Sequence, residues 1–203
     1  MLQVKGLSRL TLGPVDLEVA DGDCLAITGP SGTGKSVLLR AIADLDPNEG
    51  TVSCASCARD AVTGPDWRGR VALLPAESGW WGDAVAGHFR DPEGQRDLLD
   101  QVGMPSEAMG WDVARLSTGE RHRLALMRAL ERVPEVLLLD EPTTMLDSGT
   151  TLLVEAMLRA RMAQGLSILM VTHEAEQPVR MGARALWLEG GQLRDVGQRG
   201  VGL

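Results

Sequence analysis

Eight consecutive residues, Gly29-Pro30-Ser31-Gly32-Thr33-Gly34-Lys35-Ser36, fit the pattern G-x-x-x-x-G-K-[ST] without a mismatch. Glycines let such a loop wrap closely, with no Cβ in the way. Its backbone N–H groups, at the positive end of a following helix, then point at phosphate oxygens. Lys35 is placed to reach β- and γ-phosphates, and Ser36 to offer its hydroxyl to Mg²⁺. The context agrees: an apolar run from Cys24 to Thr28 precedes the loop and a helical pattern from Val37 to Ala43 follows it. Phosphate binding alone does not choose among kinases, GTPases and transport ATPases, so a second group of residues must decide.

Asp140 and Glu141 follow the apolar run Val136 to Leu139. A carboxylate at the end of a buried strand can be aimed beside a phosphate loop, where Asp140 would hold Mg²⁺ directly or through water. Glu141, one residue on, would polarise the water that attacks a γ-phosphate. Two adjacent acids with two roles suit hydrolysis, whereas a kinase needs room there for an acceptor. Taken apart from the phosphate loop, the same pair leaves a solvated acidic turn open as the lesser alternative.

Leu116-Ser117-Thr118-Gly119-Glu120, followed by the basic and apolar stretch Arg121 to Leu126, resembles the signature motif L-S-G-G-Q of ABC ATPases. Asp140-Glu141-Pro142-Thr143, Leu146-Asp147 and Thr172-His173-Glu174 are similar, in family order, to that family's second nucleotide motif, D-loop and switch histidine. The resemblance runs over essentially the whole chain. It implies ATP and Mg²⁺ as ligands, with two ATPase subunits paired head to tail around two ATPs. The pair would be a homodimer or a heterodimer with a related ATPase. Ser117 and the N–H of Gly119, at a helix start that favours an anion, would grip the γ-phosphate held by the other subunit. His173 would contact the γ-phosphate region and steady Glu141 and the water, and Asp147 would lie at the dimer seam. Asp147 also suits an N-cap for a helix beginning at Ser148. The family implies a transmembrane permease partner as well, and hence a place on the inner face of the cell membrane.

The chain departs from the family pattern in several places. Ala76 stands where members carry a glutamine that contacts Mg²⁺ or water and senses the membrane partner, and Glu77 follows it. Thr118 and Glu120 replace a glycine and a glutamine, which suggests slow or altered turnover. No tyrosine is present to stack on adenine, and the nearest position is about Arg9, whose planar guanidinium could do so. Trp80 and Trp81 fall where members receive a short helix of the permease; they read either as interface anchors or as packing within the local structure.

The elements that must position these residues alternate between strand and helix patterns. Strands are expected at Val15 to Val19, Cys24 to Thr28, Val71 to Leu74, Val136 to Leu139, Ile168 to Val171 and Ala185 to Leu188. A hairpin at Gly190-Gly191 leads to a last strand near Gln192 to Val196. Helices are expected at Val37 to Ala43, Glu120 to Arg132 and Ser148 to Gln164, the last with Leu152, Leu153, Ala156 and Met157 on its apolar face. The stretch from about residue 76 to 116 shows no convincing strand and reads as a small helical insert. The expected architecture is an α/β P-loop NTPase fold, with a mostly parallel sheet, an antiparallel β part and a small α-helical subdomain. It is one ABC ATPase domain over residues 1–203, with core segments 1–75 and 117–203.

Composition narrows the function class. The chain has 203 residues and a formal net charge of −8, a balance that argues against a nucleic-acid backbone as partner. No stretch approaches the roughly 20 apolar residues of a membrane span, so a cytoplasmic protein that meets the membrane through a partner is expected. Cys24, Cys54 and Cys57 are few and odd in number, which fits a reducing compartment. The C-x-x-C spacing of Cys54 and Cys57 lacks the second pair of a four-ligand zinc site. The leading expectation is an ATP-hydrolysing transporter subunit. The alternatives are an ATP-gated dimerising module with weak hydrolysis and, less favoured, an ABC-type ATPase acting on DNA or ribosomes.

Overall fold

The computed structural model describes residues 1–196; the chain end expected to be loose, Gly200 to Leu203, lies outside them. Among the described residues the strands are β1 (Leu2–Arg9), β2 (Leu12–Val19), β3 (Cys24–Thr28), β4 (Glu49–Ser53), β5 (Val71–Leu74), β6 (Val136–Asp140), β7 (Ser167–Val171), β8 (Arg184–Glu189) and β9 (Gln192–Asp195). The helices are α1 (Lys35–Ile42), α2 (Gly64–Arg70), α3 (Arg96–Gln101), α4 (Thr118–Leu130), α5 (Ser148–Met162) and α6 (Gln177–Arg180).

Six strands form the main sheet in the order β5-β6-β7-β3-β8-β9, parallel except for the β8–β9 hairpin. Every residue of β6 (VLLLD) and β7 (SILMV) is buried, as expected of central parallel strands covered on both faces. Their register pairs Asp140 with Val171, so the two chains leave the sheet side by side. The carboxyl ends of β3, β6 and β7 thus carry the phosphate loop, Asp140-Glu141 and Thr172-His173. That is the edge of an open α/β sheet where ligands bind.

A second sheet, β2-β1-β4, is antiparallel. Its strands β1 and β4 were not anticipated. β1 carries irregular register at Val4/Leu7 and Leu7/Arg9, which breaks the two-residue alternation, and β4 buries only Val52. α2 was missed as well, because a seven-residue helix offers too little periodicity. It is fixed locally, by the Thr63 hydroxyl accepting from the Asp66 N–H at 3.3 Å. It is fixed in the core by Trp67, whose indole N–H donates to the Ile42 carbonyl at 2.9 Å.

Between β5 and α4 the chain forms short helical pieces: α3, and 3₁₀ turns at Val85–His88, Ser106–Gly110 and Val113–Arg115. Val85, Leu98, Leu99 and Val102 from this segment share one apolar core with Leu124 of α4 and with Leu137 and Leu139 of β6. Arg123 of α4 ties it down further, donating to the Val102 and Gly103 carbonyls at 2.9 and 2.6 Å.

The apolar face expected for α5 is corrected. Leu152 and Leu153 are exposed, Ala156 is exposed too, and the buried positions are Thr151, Val154, Glu155, Met157 and Leu158. Residues 151, 154, 155 and 158 form the i, i+3, i+4, i+7 stripe. A fully buried glutamate lies on it, which hydrophobicity alone cannot identify.

Trp80 and Trp81 differ in burial. Trp80 packs against the main core, while Trp81 is 73% exposed. The Arg128 guanidinium lies 4.8 Å from the ring centre of each, and the His88 ring packs against both.

Candidate functional site

A cavity of about 350 Å³ opens at the carboxyl edge of the main sheet, lined by Ser31, Gly32, Gly34, Lys35, Ser36, Ala76, Asp140, Glu141 and His173 among others. Its floor is the phosphate loop. Gly29 is required there by close approach, since a Cβ would fall 2.3 Å from the Leu188 carbonyl oxygen. Gly34 caps α1 from the left-handed region, at φ 100°, with no side-chain cap, and the first turn of the helix holds no acid. The helix start is therefore left with free N–H donors facing the cavity, a setting that suits phosphate.

The Lys35 ammonium folds onto the loop, donating to the carbonyls of Gly29 and Pro30 at 3.0 and 2.8 Å. Thr33 braces the same turn by donating its hydroxyl to the Pro30 carbonyl at 3.0 Å. Burial pushes the Lys35 pKa below the ordinary lysine value, and Glu141 and Asp140 oppose that shift. An incoming polyphosphate would act in the same direction as those carboxylates. Ser36 and the buried Asp140 place a hydroxyl and a carboxylate on the same cavity, an all-oxygen donor set of the kind Mg²⁺ takes beside phosphate.

Glu141 sits at φ 55°, an uncommon left-handed conformation for a residue with a side chain and one often found at functional sites. Three contacts hold it. Its N–H donates to the Val171 carbonyl at 3.0 Å, and its carboxylate accepts from the Thr144 hydroxyl at 3.0 Å. The third is His173 Nε2, 3.1 Å from Glu141 Oε1. The carboxylate and the imidazole thus meet at the cavity wall. Ala76 contributes only a methyl group there, and Glu77 is exposed.

Ser117, Gly119 and Asp147 do not line this cavity. Ser117 caps α4 in a reciprocal box with Glu120: the Ser117 N–H and hydroxyl both donate to Glu120 Oε2 at 2.8 Å, and the Glu120 N–H donates to the Ser117 hydroxyl at 3.3 Å. Glu120 therefore has a local structural role that its replacement of glutamine did not reveal. Those N–H and hydroxyl donors, the Ser117 N–H first, hold its carboxyl below the usual range. Asp147 caps α5, accepting from the Thr150 N–H and hydroxyl at 3.0 and 2.6 Å.

The Gly119 Cα packs on the turn that carries Asp147, and a Cβ at Gly119 would lie 2.9 Å from the Met145 carbonyl oxygen. Gly119→Ala is expected to push this turn aside and destabilise the protein by about 1–3 kcal/mol, measurable as a lower thermal unfolding midpoint. An unchanged midpoint would mean that the loop yields freely.

Arg9 lies outside this cavity. It bonds to the Pro47 carbonyl and lies 3.7 Å from Asp46. The cysteines are free. Cys54 and Cys57 close a turn through a 2.9 Å backbone hydrogen bond, and burial, aided by Asp23, pushes the Cys24 thiol up to about 12. Reasoning from the sequence also missed His122, a buried histidine of α4. Burial lowers its pKa, against the opposing effect of the Pro142 carbonyl beside Glu141. No spacing rule pointed to it.

A family model described as ABC transporter matches residues 12–144. The chain belongs to the ABC transporter family. This ABC ATPase is 39% identical over 190 residues to the aliphatic sulfonates import ATP-binding protein SsuB 3 of Nocardia farcinica, covering 92% of this chain and 74% of that protein. It is 37% identical over 204 residues to the Fe(3+) ions import ATP-binding protein FbpC of Streptomyces avermitilis, covering 93% of this chain and 58% of that one. Among solved structures, the dimeric post-hydrolysis state of an ATP-binding cassette bound to ADP and Pi superposes with a TM-score of 0.83. It does so at 22% identity, over 98% of this chain and 100% of that one. The protein is thus an ATP-binding ABC transport ATPase with the α/β cassette fold. No helix among the described residues is long and apolar enough to cross a membrane.

Proposed function

We propose that this ABC ATPase works as a head-to-tail pair, with itself or a related ATPase, and hydrolyses ATP at the seam to drive a solute importer. The observation that carries this reading is the division of the site. One subunit brings Lys35, Ser36, Asp140, Glu141 and His173 to a single cavity, and leaves Ser117 and Gly119 on a separate helix start. A second copy would supply those donors. Gly29 to Ser36 would cradle the phosphates. Mg²⁺, held by the Ser36 hydroxyl and Asp140, would supply charge neutralisation on the phosphate oxygens. Glu141 would take a proton from the attacking water while His173 holds the carboxylate in place.

The membrane partner would be a permease, and the ATPase would sit against its cytoplasmic face. Trp81, exposed and backed by Arg128, offers an aromatic anchor for a permease helix. Import follows the names of the relatives. Sulfonates and Fe(3+) in the names of two relatives of similar identity are compatible with a cargo chosen by the membrane subunit. Ala76 at the cavity wall favours, as a second reading, a module that pairs on ATP and hydrolyses it slowly; steady-state phosphate release separates the two.

Mixing tests the composite site. At an ATP concentration that fills only an intact site, Lys35→Ala and Ser117→Arg subunits are each expected to be nearly inactive alone. Mixed, they form pairs with one intact site, so hydrolysis should reappear. Absence of any recovery, with pairing shown by light scattering, would remove the head-to-tail arrangement.

A further inference from the structure

A buried polar network behind the site joins the two loops that bring Glu141 and His173 together. Glu155 of α5 is fully buried and forms a two-pronged pair with Arg180 of α6, at 2.8 Å from Nε and 2.7 Å from Nη2. The same Arg180 Nη2 lies 2.7 Å from Glu174, the residue after His173. Gln177, also buried, donates to the Thr143 hydroxyl at 2.8 Å, two residues after Glu141, and to Glu155 at 3.3 Å. One cluster of α5 and α6 side chains therefore grips both loops, each within two residues of a site side chain. A buried carboxylate is costly unless it is paired and hydrogen-bonded. This one is satisfied by Arg180 and Gln177 of α6, which in turn hold Glu174 and Thr143, so the cluster resists movement of either loop.

We propose that Arg180, with Glu155 and Gln177, is a positioning device that sets the 3.1 Å approach of His173 to Glu141. The inference rests on the reading of Glu141 and His173 given under Proposed function. The device touches neither the phosphate loop nor its cavity, and it acts on the chemical step while leaving nucleotide binding alone.

The test measures Mg²⁺-dependent ATP hydrolysis by the purified chain alongside the imidazole NMR signals of His173. The chain has three histidines, so assignment is simple. Glu174→Gln leaves the buried pair intact and loosens only the link to the His173 loop. Arg180→Met breaks the buried pair together with the link to the His173 loop, and Glu155→Leu/Arg180→Met removes the unpaired buried charge as well. Arg180→Met is expected to lower kcat about 10- to 100-fold, as misplacement of a reacting group does, with KM for ATP changed less than about twofold. Glu174→Gln should show a smaller loss in kcat at an unchanged unfolding midpoint. Arg180→Lys should recover part of the rate, because a point charge can pair with Glu155 but cannot span both glutamates. In the double variant the unfolding midpoint should return towards wild type while kcat stays low. The His173 signals of Arg180→Met should shift in the direction that Glu141→Gln shifts them.

Recovery of kcat together with stability in the double variant, or unmoved His173 signals in Arg180→Met, would reduce the network to a packing role and overturn the proposal. Failure of the underlying site reading looks different: Glu141→Gln and His173→Ala would then keep wild-type turnover, whatever the Arg180 variants do.

Discussion

Replacing Glu141 by glutamine is expected to lower ATP hydrolysis by about 10²–10⁴-fold, the range a positioned general base contributes. The change is nearly isosteric. Its backbone sits at φ 55°, a conformation glutamine meets with the same strain as glutamate, and a glutamine oxygen can still accept from the Thr144 hydroxyl that holds it at 3.0 Å. What disappears is the negative charge facing His173 at 3.1 Å, and with it the means to take a proton from water. Lys35, Ser36 and Asp140 are untouched, so ATP should still bind, and the ATP-bound pair should accumulate because its exit by hydrolysis is closed. Phosphate release and light scattering with ATP would be read together. Turnover within a factor of two of wild type would show that some other group activates the water.

Lys35→Ala is expected to act one step earlier, on binding. The ammonium is buried and held by two loop carbonyls, and burial has already pushed its pKa below the usual lysine value, against the pull of Glu141 and Asp140. A phosphate oxygen in the cavity would stabilise the charged form. Loss of one charge-assisted hydrogen bond, worth about 1.5–3 kcal/mol, corresponds to roughly 10- to 100-fold weaker ATP binding. Titration calorimetry with Mg²⁺-ATP would give the number. The Gly29 and Pro30 carbonyls lose their donor, one of them in a buried position, so a modest fall in the unfolding midpoint should accompany the weaker binding. Wild-type affinity in the variant would mean that the loop amides alone hold the nucleotide.

Most of the residues that meet at the candidate site were legible from residue order because they lie in short local motifs joined to strands by fixed geometry. A glycine-rich loop between an apolar run and a helix leaves few conformations, and Asp140 at the end of a buried run points to the same edge as the loop. The strands β3, β5, β6 and β7 were read from unbroken apolar stretches, which parallel strands covered on both faces require. Elements with half-exposed or irregular patterns escaped: β1 through its register shifts, β4 through its single buried side chain, and α2 through its length.

The sequence by itself determined the family, the phosphate loop, the acidic pair and the histidine, since each is a contiguous pattern whose chemistry is set by residue type and spacing. Only the tertiary structure decided that Glu141 takes a left-handed backbone and stands beside His173, and that Glu120 turns back to cap Ser117. It also decided that α5 buries Glu155 in place of two leucines, to pair with Arg180. The physical reason is common to all three. Each depends on which hydrogen-bonding partner a polar side chain meets once the backbone has folded, from three residues away for Glu120 to as far apart in sequence as the buried pair 143 and 177.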